Sequence, residues 1–531
     1  MRSVPVLSAV EAAGLVESGA TVSVSSSSAL GCPDEVLRGL GERFDQSGSP
    51  ADLTVIMPIA AGDMYGVKGI DHIAKSGQLR RVVAGSYPSG PSGAEPPEIW
   101  KLIDSGAVEA FNLPSGVLFQ MHRAGATGQP GVFTRVGLDT FADPRRRGGR
   151  MNAVASADLV EVATVRGSEY LFFPAVVPDV AIVRATTADE AGNLTFEDEG
   201  SPLGALDQAL AAHNNGGLVI AQVKRLAARG SLAPQSVRVP GILIDAIVVD
   251  PDQLQTTNTR YDPVLSGQLR RPISAIEPPD WSIETVIARR AAAELRDGQI
   301  ANLGFGISAL VPRILVEQGR ADAVTWVLEQ GAVGGTPLTG FAFGCSMNAD
   351  ALLPSIDLFT LLQGGGFDHT LLSFLEIDKA GNVNVHHLPS RPHVTAGVGG
   401  FADITSRARS IIFSGSFTAG GRDVVVEDGR VVIRREGRAA KLVDSVSGVT
   451  FSGPRALASG QRVLYVTERC VMQLRPAGVT VTEVAPGIDL QRDVLGVAGF
   501  DLRVADDVRT MDPRLFDPAA ITVPDADMVI A

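Results

Sequence analysis

Apolar residues along this chain gather into short, often β-branched runs, each closed by glycine, proline or a cluster of small polar residues. Between them lie stretches with apolar residues at helical spacing. The alternation predicts an α/β fold built of open sheets covered by helices. The runs also recur. GATVSVSSSSALGCP (19–33) and GQIANLGFGISALVP (298–312) align without a gap as glycine, strand, small-residue turn and a proline that opens a helix. ADLTVIM (51–57) matches ADAVTWVL (321–328), and ADEAGNLTF (188–196) matches IDKAGNVNV (377–385) around an Asp-x-Ala-Gly-Asn turn. GLVIAQV (217–223) and SIIFSGS (410–416) follow in the same order. Four ordered matches predict two homologous open-sheet α/β domains in one chain, facing one another across a cleft.

The division is expected at residues 267–281, GQLRRPISAIEPPDW, whose proline and charge suit a linker. The expected units are 1–266, the linker 267–281, and 282–531. The first half carries additional sequence near 63–170, including EPPEIWKLIDSGAVEA, which reads as helical and as an insertion covering the site.

The halves differ at one informative place. In WVLEQGAVGG (326–335) a lone carboxylate, Glu329, ends an apolar run and precedes Gly331, Gly334 and Gly335; the matching strand LTVIMPIAAG offers Pro58 instead. A carboxylate needed only to cap a turn would be expected in both copies, so the asymmetry favours chemistry. A strand ending in a Gly-rich turn points its last side chains into the crevice where such sheets bind ligands, and glycines let a bulky group approach the backbone.

Composition narrows the chemistry. The chain has 531 residues, 45% of them hydrophobic, enough for two cores. A formal charge of −13, with Pro144-Arg145-Arg146-Arg147 as the only dense basic run, argues against nucleic acid. No apolar stretch has the length and continuity of a signal peptide or membrane span, so a cytoplasmic protein is expected. Cys32, Cys345 and Cys470 are far apart, predicting neither disulfides nor a zinc site. His386, His387 and His393 lack a carboxylate at ligand spacing; contact with substrate suits one of them better than metal ligation. The chain has no Walker A sequence or nucleophile elbow, and GVGGF (397–401) is a weak dinucleotide signal.

These motifs together resemble the family I CoA-transferases of the fused-subunit type, similar to acetate, propionate and 3-oxoacid CoA-transferases. The resemblance rests on Glu-x-Gly-x-x-Gly-Gly at Glu329, Gly331, Gly334 and Gly335, on GFAFG (340–344), QGGGFD (363–368), GNVNV (381–385), GVGGFADI (397–404) and FTAGG (417–421), and on the tail MDPRLF (511–516). It implies ping-pong transfer of CoA between an acyl-CoA and a small carboxylic acid. Glu329 would be the nucleophile, passing through an acyl-glutamyl anhydride and a glutamyl-CoA thioester. The family's loop, here Gly397, Gly399, Gly400 and Phe401, would lie by the CoA and the developing oxyanion. Neither metal nor other cofactor is implied, and homo-oligomers are common in the family. Ser115, where many relatives carry glutamine, and the segments 25–33, 85–97 and 386–392 depart from the pattern and are expected to line the acyl pocket. A CoA-ester hydrolase and a non-catalytic CoA-ester-binding protein are the alternatives on the same fold.

Overall fold

The computed structural model describes residues 3–89 and 95–521. The first half runs β1 (Thr21–Val24), α1 (Asp34–Ser47), β2 (Leu53–Met57), β3 (Leu79–Ala84), β4 (Glu109–Asn112), α2 (Ser115–Ala126), β5 (Val180–Asp189), α3 (Ala205–His213), β6 (Leu218–Ala227) and β7 (Ala246–Val249). Behind the edge strand Val6–Leu7 its sheet has the order β7-β6-β5-β1-β2-β3-β4. The second half runs β8 (Gln299–Leu303), α4 (Val311–Glu317), β9 (Val324–Val327), β10 (Ala332–Val333), β11 (Ala351–Leu352), α5 (Ser355–Gly364), β12 (His369–Ser373), α6 (Phe401–Thr405), β13 (Ser410–Ser414) and β14 (Arg462–Val466). Its sheet order is β11-β10-β9-β8-β12-β13-β14, extended by Cys470–Arg475, Gly478–Val484 and Arg503–Thr510.

The five strands β7-β6-β5-β1-β2 correspond one for one to β14-β13-β12-β8-β9, and both sets are parallel throughout. Parallel strands need both faces covered, which is why all ten residues of β5 are buried. The repeat extends to single hydrogen bonds. Asp189 Oδ1 accepts from the N–H groups of Ala191 and Asn193, and Asp378 Oδ1 accepts from those of Ala380 and Asn382. Each Asn then accepts from a distant glycine N–H through Oδ1, Gly241 at 2.9 Å and Gly453 at 3.0 Å.

A second correspondence joins the halves. Leu113-Pro114-Ser115 opens α2 and Leu353-Pro354-Ser355 opens α5, each proline supplying extended backbone just before the first turn. The helices pack on each other, with the Phe119 and Phe359 rings 5.9 Å apart, and Gln120 donates to Gln363 at 2.7 Å. Ser115 N–H donates to Gly399 O, and Ser355 N–H donates to Leu203 O. Gly399 and Leu203 both have positive φ, 54° and 50°, and both precede a glycine that leads into a short helix, α6 or α3. The interface therefore has approximate twofold symmetry.

Two expectations are corrected. The run 95–110 is helical only over Glu98–Asp104 and then enters β4, because Ser105-Gly106 ends the helix. The segment after Glu329 is not a plain turn: β10 folds back antiparallel on β9 and pairs in turn with β11. Residues 267–281 are largely exposed and carry one 3-10 turn, Ile273–Ala275. Among the described residues no helix is long and apolar enough to cross a membrane.

Candidate active site

Glu329 lies just beyond β9, at the carboxyl edge of the second sheet, where it remains partly accessible although protein surrounds it. Burial pushes its carboxyl up to about 7, offset in part by hydrogen bonds from the Gln330 side chain and the Gly400 N–H. Gln330 Nε2 donates to Glu329 Oε1 at 3.2 Å. Gln330 is itself held: its carbonyl accepts from Ser201 Oγ of the first half and from Ser355 Oγ at 3.0 Å.

The loop 397–401 reaches the carboxylate from the other side. A Cβ added to Gly400 would fall 1.9 Å from Glu329 Oε2, closer than any side chain tolerates. Gly400 has φ −85° and ψ 2°, so its requirement for glycine is steric, not conformational. Gly399 is the opposite case, with φ 54° and open space where a side chain would point. Its N–H donates to Gly85 O at 2.7 Å, and the Val398 N–H donates to Asn112 Oδ1 at 2.9 Å. Gly397 packs on the Asn112 amide. Asn112 also donates through Nδ2 to Ala84 O and Gly85 O, so one first-half side chain fixes the loop's position.

A second buried carboxyl stands behind the first. Asp403, on α6, accepts from the Gly116 N–H at 3.0 Å and from Gln363 Nε2 at 2.8 Å, tying α6 to the start of α2. Burial first, and then the charge of Glu329, push it up to about 7.

The other expected residues sit differently. Gly331, Gly334 and Gly335 all have positive φ, 144°, 73° and 65°, and pack on Leu353 O, the Asp350 carboxylate and Met347 O respectively. Glycine at these positions lets the β10–β11 hairpin close. The ring of Phe401 is turned into the core and stacks on Phe413 at 5.9 Å, since it opens α6 on that helix's buried face. His386 is half-buried and packs against Phe141, 4.4 Å between centroids, and its Nδ1 pairs with Thr450 Oγ1. Burial drives it down to about 3, which holds the ring neutral. Ser25, Ser26, Ser27 and Ser115 are also buried. Residues 90–94 of the expected pocket segment 85–97 lie outside the described residues. Among the described residues no His, Cys, Asp and Glu side chains gather into a group able to hold a metal ion.

A model of the coenzyme A transferase family matches residues 6–250. Over 515 residues the chain is 40% identical to caffeate CoA-transferase of Acetobacterium woodii, covering 96% of this chain and 97% of that one. It is 38% identical to acetate CoA-transferase YdiF of Escherichia coli K12 over 525 residues, 98% and 96% of the two chains. The solved structure of acyl-CoA transferase YdiF from E. coli O157:H7 as a thioester complex with CoA superposes with a TM-score of 0.91 at 36% identity. It covers 99% of this chain and 98% of that one.

Proposed function

Since the chain belongs to the coenzyme A transferase family, we propose that it moves CoA between an acyl-CoA and a free carboxylic acid through covalent intermediates on Glu329. The observation that carries this reading is the accessible Glu329 carboxylate clasped between the Gln330 amide and Gly400. Its raised pKa marks a carboxylate stripped of water, which is a better nucleophile than a solvated one. The thioester complex of the similar YdiF is consistent with a CoA thioester on the protein.

The steps balance without metal or nucleotide. A carboxylate oxygen of Glu329 attacks the thioester carbonyl, the C–S bond breaks, and CoA leaves as thiolate. The product is a mixed anhydride. The thiolate attacks the Glu329 carbonyl of that anhydride, releasing the first acid as carboxylate and forming a glutamyl-CoA thioester. An incoming carboxylate attacks the same carbon and expels the thiolate, which then attacks the new acyl carbonyl. The new acyl-CoA departs and Glu329 is again a carboxylate. Each attack puts negative charge on a carbonyl oxygen. The Gly400 N–H, aimed at the carboxylate in the resting site, is the loop donor best oriented to meet it, since those of Gly399 and Val398 are spent on first-half acceptors.

The relatives are named for acids as different as caffeate and acetate, so the family accommodates acids of very different size. Acyl-CoA turnover with and without added carboxylic acid tests the reading. Transfer predicts a new acyl-CoA that forms only with the acceptor. Thiol release at the same rate without acceptor would contradict it and indicate a hydrolase.

A further inference from the structure

Beside the proposed nucleophile the protein exposes an unusual amount of aromatic surface. Phe305 is 68% exposed, and Phe341 and Tyr65 are each 47% exposed. Phe305 and Phe343 meet edge to face at 5.3 Å, Phe341 and Tyr65 at 5.1 Å. These rings come from both halves of the chain. Leaving such side chains in water forgoes about 25 cal/mol per Å² of apolar surface, and exposed apolar patches on stable proteins mark places where something binds.

The rings stand at the reacting edge of the sheet. β8 and β9 are neighbouring parallel strands with Asn302 opposite Val327, and Phe305 and Glu329 each follow the end of their strand by two residues, so both leave the same edge of the sheet. On its other flank Phe305 is fixed by Ser373 Oγ, which donates to its carbonyl at 2.9 Å. The loop bearing Phe341 and Phe343 is not loose. Leu338 and Ala342 pack into a small cluster of Leu30, Leu203, Leu265 and Cys345 between the halves, and Gly344 lies directly against the Gln330 side chain. The phenylalanines are therefore held outward by a buried anchor next to the residue that orients Glu329.

We propose that Phe305, Phe343, Phe341 and Tyr65 form the acyl subsite, and that the preferred acid carries an aromatic ring conjugated with its carboxyl group. The proposal rests on Glu329 being the acylated residue. Two considerations choose the acyl group over the nucleotide of CoA. Phe305 and Glu329 leave adjacent strands at the same sheet edge, and Phe305 meets Phe343, whose neighbour Gly344 lies against Gln330, which places the rings at the acyl end of the site. The adenine ring hangs at the far end of the pantetheine arm, several strand spacings away. Edge-to-face pairs also leave ring faces and edges open to a third ring, which a flat conjugated acid fills better than a short alkyl chain.

The test compares 3-phenylpropenoyl-CoA with acetyl-CoA as donors in the full chain. The wild type should favour the aryl thioester in kcat/KM. Phe305→Ala should lower that value about tenfold or more while changing acetyl-CoA turnover less than about twofold. Phe305→Tyr, which keeps the ring, should retain the aryl preference. An equal loss with both thioesters would assign the rings to CoA and overturn the proposal, as would no loss with either or failure to accept the aryl thioester. Mass spectrometry of the same wild-type mixtures separates the underlying reading. A Glu329 adduct without aryl preference overturns this proposal alone, whereas no adduct from either thioester overturns both.

Discussion

Gly400 is the residue at which the site has least room for change, because its missing side chain is where the Glu329 carboxylate lies. Gly400→Ala should displace that carboxylate and slow formation of the covalent adduct by about 10²-fold or more, the scale of a misplacement near 1 Å. Gly399→Ala, with open space before it, should cost mainly the strain of a positive φ, about 1 kcal/mol of stability. Rapid-quench measurement of the carboxylic acid released from the donor and thermal unfolding of both variants check the contrast. The raised pKa of Glu329 gives a second expectation. Only the carboxylate attacks, so adduct formation should rise with pH through about 7 and level off above it. The stability sign follows from linkage. The unfolded carboxyl ionises near 4.5 and the folded one near 7, so the cost of the buried charge is absent below the first value and complete above the second. Glu329→Gln should therefore be more stable than wild type by about 2–3 kcal/mol in urea unfolding above pH 7, and equal to it below about 4.5. Glu329 stood out in the sequence because the matching strand has Pro58. Asp403 and Asn112 did not, because their partners Gly116 and Val398 lie 287 and 286 residues away and no local pattern marks such pairs.

At the scale of elements, the parallel strands were legible because a strand buried on both faces reads as one apolar run in each copy, and the Asp-x-Ala-Gly-Asn turn repeats its hydrogen bonds as well as its letters. The helix pair α2 and α5 is harder to read from the chain, although Leu-Pro-Ser-x-x-x-Phe occurs in both. The additional strands β3 and β4 separate the first copy from its sheet core, and the β10–β11 hairpin does so differently in the second. The loop 397–401 depends on the first half for its place. Asn112→Ala would remove the acceptor of the Val398 N–H and the donor to Ala84 O and Gly85 O. It should cost about 1–3 kcal/mol of stability and slow adduct formation about tenfold, read by denaturant unfolding and by release of the donor's carboxylic acid. A loss of stability with an unchanged adduct rate would make Asn112 a structural tether only.

Taken as a whole, the molecule sets two related sheets against each other through a symmetric helix pair, yet only one of the two equivalent strand ends carries a carboxylate. We propose that residues 267–281 divide two domains and that the first has become the scaffold for the second. It supplies Asn112 and the Gly85 carbonyl to the loop, Ser201 to the Gln330 carbonyl, and the α2 N-terminus to Asp403. Glu329 would then hold its geometry only when both halves are in register. The chain's membership in its family is established, whereas the covalent role of Glu329 is the claim on which the rest depends. Peptide mapping by mass spectrometry after incubation with acyl-CoA, quenched before the acceptor acid is added, tests it most directly. The account predicts CoA attached to the peptide containing Glu329 and none in Glu329→Ala; CoA on a different peptide, or full transfer activity in Glu329→Ala, would contradict it.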